Sequence, residues 1–184
     1  VYVRNGLGEI KAAKIEKISK QDDVALLRID NPYSNQYAQS IPENYNIKIG
    51  QKIYVIGYPL ADLLGESKPS ITQGIISKDT GMKDDPSQFQ ITAKLNSGNS
   101  GGPIISSEGN IVGIAVSKLD KTDMLVEEGK IPEDVNFGIN VNRIETFLDS
   151  STNIPYTEEL QLENLYEAML PSIVMVLSIV DVQN

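Results

Sequence analysis

The 184 residues contain no histidine and no cysteine. Without cysteine there is neither a disulfide framework nor a thiolate metal site. The compartment stays open, because a well-packed chain can be secreted without disulfides. Without histidine, the side chain that most often serves as a general base near neutral pH is missing. Basic residues are outnumbered 16 to 25, a formal charge of −9, so the basic patches that bind nucleic acid are not expected. The most apolar stretch, Ser172 to Asp181, is too short to cross a bilayer. No Asp-x-Asp-x-Asp-Gly spacing supports calcium. The doublets Asp84-Asp85, Glu127-Glu128 and Glu158-Glu159 therefore read as solvated loops, and no metal or cofactor is expected.

What is present is concentrated in Gly98-Asn99-Ser100-Gly101-Gly102-Pro103. Glycines around a serine let the backbone turn tightly, so that the hydroxyl projects and nearby N–H groups converge on one point. That is the arrangement of a nucleophilic serine, which is normally activated by a histidine oriented by an aspartate. A strand-like run, Phe89 to Asn96, precedes the turn. Two strands joined by Ser107-Glu108-Gly109-Asn110 follow it, from Ile104 to Val116. A helix follows the serine in the nucleophile elbow of α/β-hydrolases, so this is a different design.

The remaining chain reads as almost all β. Val1–Arg4 and Ile10–Ile18 flank the turn Asn5-Gly6-Leu7-Gly8 and should form a hairpin. Val24–Ile29 reads as an apolar, mostly buried strand. Asn31–Gly50, with Pro32 and Pro42 and no periodicity, reads as a linker. Strands are expected at Gln51–Pro59, Ile71–Ser77 and Val135–Val141, polar or acidic loops at 78–87 and 120–134, and a short helix at Arg143–Leu148. Thr157–Met169 has the apolar spacing of an amphipathic helix, and Ile173–Val180 reads as a buried strand expected to pair with the strands before the linker.

Several of these segments, in order, resemble the HtrA/Deg group of trypsin-like serine proteases. Asp22-Asp23-Val24-Ala25-Leu26-Leu27 is similar to that family's aspartate motif, and Ile53 to Pro59 to its strand ending in Gly-x-Pro. Ile71 to Ser77 is similar to its Thr-x-Gly-Ile-Val-Ser strand, and Asn96 to Pro103 to its serine motif. Val135 to Val141 is similar to its Gly-Phe-Ala-Ile-Pro strand. The resemblance implies an all-β, chymotrypsin-like double β-barrel. Here the N-terminal barrel is incomplete, and a short helix and a C-terminal helix–strand segment are added. The division is 1–50 for the partial first barrel and linker, 51–150 for the second barrel and 151–184 for the tail.

The resemblance also implies site roles. Ser100 is the nucleophile, and Asp23 orients the histidine. The segment Gly98-Asn99-Ser100 forms the oxyanion hole through the N–H groups of Gly98 and Ser100. Lys94 falls near the base of the primary specificity pocket, where it either points inward or snorkels out. Ala115, Val116 and Ser117 pair with an extended peptide or unfolded-protein substrate. The family's histidine precedes its aspartate by more residues than this chain has before Asp23, so the expectation is a serine endopeptidase unit inactive as given. The alternative is a protease-like module that has lost catalysis and holds peptides. An extracytoplasmic setting and homo-oligomers are implied by the resemblance alone. The tail, Leu170-Pro171-Ser172-Ile173-Val174 above all, also resembles the start of such a protease domain. It would then open a second copy, a permuted arrangement or a swapped strand.

Overall fold

The computed structural model describes residues 1–31, 33, 39–60, 65, 67–116, 135–148 and 156–178. Three antiparallel strands open the chain: β1 (Tyr2–Asn5), β2 (Ile10–Ser19) and β3 (Val24–Ile29). The buried Asn5 side chain closes the β1–β2 turn by accepting from the N–H groups of Leu7 (3.1 Å) and Glu9 (2.9 Å). Glu16 is the extra residue of a bulge that shifts the β2–β3 register between Ile15 and Lys17.

The next six strands close on themselves. They are β4 (Lys52–Gly57), β5 (Ser70–Lys78), β6 (Gln88–Ile91), β7 (Pro103–Ser106), β8 (Ile111–Val116) and β9 (Asn136–Asn140). They form a barrel in the order β4-β5-β6-β9-β8-β7. Alternation sends Ile53, Val55, Ile76, Phe89, Ile91, Ile104, Val112 and Ala115 into one core. The opposite face of β4 and β7, with Tyr54, Ile56 and Ile105, is covered by Leu165, Met169 and Ile173 of the tail. Cover on both faces explains why Ile53-Tyr54-Val55-Ile56 is continuously apolar.

Helix α1 (Val141–Leu148) follows β9, with Asn140 Oδ1 accepting from the Asn142 N–H at 3.1 Å. The tail holds helix α2 (Leu162–Met169) and strand β10 (Val174–Leu177). Helix α2 is shorter than its apolar spacing suggests. The preceding residues are fixed in a non-helical course: Leu160 donates to the Ser107 carbonyl at 2.9 Å, and Asn110 and Tyr156 exchange two 2.8 Å hydrogen bonds. Strand β10 pairs antiparallel with β1, giving a four-stranded sheet in the order β10-β1-β2-β3.

Other expectations need correction. The run from Phe89 leaves the ladder after Ile91, where Ile75 donates to the Thr92 hydroxyl (2.9 Å) and Thr92 donates to the Ile75 carbonyl (3.0 Å). Neither β3 nor β10 is buried as expected; no residue of either falls in the buried class. Both are edge strands, each with one side unpaired among the described residues. The acidic loop 120–134 lies outside the described residues.

Candidate active site

The serine turn is built against the end of β4. Tyr58 donates to the Gly98 carbonyl (3.2 Å) and Leu60 to the Ser97 carbonyl (2.8 Å). Inside the turn, Asn99 donates to Asn96 and Gly102 to Asn99, each at 3.0 Å. Gly98 has φ +96° and an added Cβ would lie 2.1 Å from the Tyr58 carbonyl oxygen, so only glycine fits. A Cβ at Gly57 would lie 2.8 Å from Asn99 Oδ1. The glycine of Gly57-Tyr58-Pro59 is thus there to let the serine turn approach. Asn99 is buried and Ser100 stands exposed at the tip.

Ser100 borders a cleft of about 540 Å³, shared with Gly57, Tyr58, Gly98 and, from the tail, Val174 and Val176. Tyr58 is 5% exposed and its hydroxyl is buried without a hydrogen-bond partner. Burial pushes its phenol above the ordinary value. Nothing in the sequence marked this residue, because its environment comes from the serine turn and the tail.

Asp22 and Asp23 precede the strand rather than belonging to it. Both lie in the turn before β3, and Asp23 has a left-handed φ of +51°. Asp22 is the more tightly held carboxylate. It accepts from the Ser19 hydroxyl at 2.7 Å and from Arg143 Nε and a terminal nitrogen at 3.1 and 2.5 Å. The Ser19 hydroxyl first, then Arg143, hold its carboxyl below the ordinary value. Nearby, Lys17 Nζ donates to the Phe147 carbonyl at 2.7 Å. These contacts clamp α1, which follows the barrel, onto the β2–β3 end that carries Asp23. Arg143 was not singled out by sequence; no local spacing connects it to a residue 121 positions away.

The other candidate residues are placed as follows. Lys94 is exposed in the irregular segment after β6, and neither it nor Asp23 lines the cleft beside Ser100. Ala115 is 1% exposed. Its N–H donates to the Gly102 carbonyl and its carbonyl accepts from Gly101, both at 2.8 Å. Both its N–H and its carbonyl are therefore engaged by the serine turn. Val116 pairs with Phe137 in the barrel, and Ser117 lies outside the described residues. Among the described residues no group of three or more acidic side chains is arranged to hold a metal ion.

A family model described as "Trypsin-like peptidase domain" matches residues 1–114, more than half of the chain. The chain belongs to the trypsin-like peptidase domain family. It is 36% identical over 136 residues to the uncharacterized protein y4bJ of Sinorhizobium fredii, covering 74% of this chain and 21% of that one. It is 31% identical over 147 residues to the serine protease Do-like HtrA of Lactobacillus helveticus, covering 77% and 34% respectively. Among solved structures, the serine endoprotease from Yersinia pestis superposes with a TM-score of 0.63 at 28% identity. That match covers 80% of this chain and 47% of the other. The closed barrel and second sheet are those of the trypsin-like double-barrel fold, and the HtrA-like resemblance holds. The chain spans from about a fifth to a third of the length of these two curated relatives.

Proposed function

We propose that the chain is the serine-bearing part of a trypsin-like serine endopeptidase that hydrolyses peptide bonds in peptides or unfolded proteins. Ser100 is the nucleophile. The N–H groups of Gly98 and Ser100 receive the charge that develops on the scissile carbonyl oxygen, a stabilisation that is large in acyl transfer. Asp23 orients a histidine that lies outside these 184 residues and stabilises it once protonated. The observation that carries this reading is the serine turn itself. It is locked by Gly57 and Gly98 against β4, with Ser100 exposed at its tip beside a cleft.

A second reading has a specific observation behind it. With no histidine in the sequence, the same cleft suits a peptide-holding module without catalysis. Fluorophosphonate labelling, with the modified residue located by mass spectrometry, separates the two. The peptidase reading expects slow labelling confined to Ser100, quickened by added imidazole standing in for the absent base. No labelling at Ser100 under either condition favours the binding module. Rapid labelling without imidazole would overturn the assignment of the base to a segment outside this chain.

A further inference from the structure

On the reading of Ser100 and Asp23 given above, the two groups stand on different β structures. Ser100 belongs to a turn packed on the barrel, and Asp23 to the turn between β2 and β3. Groups that act together in a reaction must be held within a fraction of an ångström, so one structure has to be fixed against the other at this end. Half of that link lies on the barrel. The serine turn and Ala115 of β8 share two 2.8 Å hydrogen bonds. Helix α1 packs on β8 and β9, anchored there by the buried side chains of Val141 and Ile144.

The other half is Arg143, which lies between those two anchors in the helix. Its Nε and a terminal nitrogen both donate to Asp22 Oδ1, at 3.1 and 2.5 Å. Asp22 Oδ2 accepts from the Ser19 hydroxyl at 2.7 Å, and the Asp22 N–H donates to the same hydroxyl oxygen at 3.2 Å. Carboxylate and backbone of Asp22 are thus both pinned. The next residue, Asp23, has a φ of +51°. That conformation costs a non-glycine residue about 1–3 kcal/mol and persists only where its surroundings impose it. Ser19 already pairs with Val24, which leaves the turn no slack at either end. The Arg143 side chain is 41% exposed, and a pair so open to water adds little stability. A guanidinium fork on a carboxylate does fix geometry.

We propose that Arg143 is a positioning residue: by holding Asp22, it sets where the Asp23 carboxylate stands relative to Ser100. The path is short and built of rigid parts, from the serine turn through β8 and α1 to Arg143, Asp22 and Asp23. Lys17 Nζ donates to the Phe147 carbonyl at 2.7 Å and lies 4.9 Å from the centre of the Phe147 ring. That second tie secures the far end of α1, so the helix does not pivot about Arg143.

Two added bases separate position from stability. Imidazole has an N–H that a carboxylate can hold, whereas 1-methylimidazole is a comparable base without one. Fluorophosphonate labelling of Ser100 should be quickened about tenfold more by imidazole than by 1-methylimidazole, and Asp23→Asn should remove that preference. Arg143→Gln should cut the preference to about twofold or less, the loss falling on the imidazole rate alone. A general loosening of the serine turn would slow both rates. Full preference retained in Arg143→Gln overturns the proposal. A chain that shows no preference, or one that survives Asp23→Asn, tells against the role of Asp23 instead. Spin labels then decide the proposal by themselves, at Lys20→Cys in the β2–β3 turn and Gln73→Cys on β5, sites that the cysteine-free sequence makes unique. Arg143→Gln should broaden the distance distribution between them about twofold, and an unchanged distribution overturns the proposal. Barrel amides report whether the variant folds. If it does not, Asp22→Ala removes the same pair and must broaden the distribution likewise, and failure there overturns the proposal as well.

Discussion

Val55 and Val176 occupy comparable places, each on the strand that pairs with the first strand of a three-strand meander. Val55 is 1% exposed and Val176 55%. The residues are the same and the pairing is the same; what differs is closure. In the barrel each inward side chain has neighbours on both sides of its strand. In the β10-β1-β2-β3 sheet only the central strands do. Burial in this fold follows from the ring of strands rather than from the apolar pattern of any one of them.

Substitutions can sharpen that contrast, beginning with the largest effect. Phe89 is fully buried in the barrel, and Phe89→Ala should destabilise the chain by about 3–5 kcal/mol in denaturant unfolding. Leu27→Ala on the open sheet should cost less than about 1.5 kcal/mol, since the side chain is only half-buried. Equal costs would break the comparison.

Gly98→Ala tests the serine turn where it meets β4. Its left-handed backbone and the 2.1 Å approach to Tyr58 predict strain of about 1–3 kcal/mol. Imidazole-dependent labelling of Ser100 should be lost while the barrel's amide signals persist. Asn110→Ala removes both hydrogen bonds to Tyr156 and should cost about 1–2 kcal/mol. Faster exchange in α2 and β10 than in β5 and β6 would show that the tail had loosened.

The smallest effect is a pH response at the clamp between α1 and the β2–β3 turn. The Asp22 carboxyl is held below its ordinary 3.8 by the Ser19 hydroxyl and Arg143. Its stabilising contribution is therefore present above that value and fades as pH falls through the lowered one. The Arg143 Nε resonance should move only below about pH 4, and Asp22→Asn should abolish the movement. A shift centred near pH 6 would contradict the assignment.

Much of this architecture was legible in the residues. Alternation located the strands, and the glycines around Ser100 located the turn. What stayed hidden depends on contacts between distant segments. Thr157 to Gln161 carried a helical pattern, but the hydrogen bond from Leu160 to Ser107, and that from the preceding Tyr156 to Asn110, hold the chain there outside the helix. The apolar pattern of β3 promised burial that an edge strand cannot supply. The resemblance picked Asp23, but the contact of Arg143 with its neighbour Asp22 and the left-handed backbone at Asp23 came only from the fold. Gly57 read as the end of a strand, and its closeness to Asn99 came only from the fold.

Strand-resolved hydrogen exchange on the 184-residue chain tests the contrast between closed and open β structure most directly. The slowest amides should lie in β4 to β9, with β1 and β2 intermediate. The outward N–H groups of β3 and β10 should exchange at least a hundredfold faster than those of β4. Protection of β3 and β10 equal to that of β4 would mean that the sheet is already closed in solution, and would contradict the account.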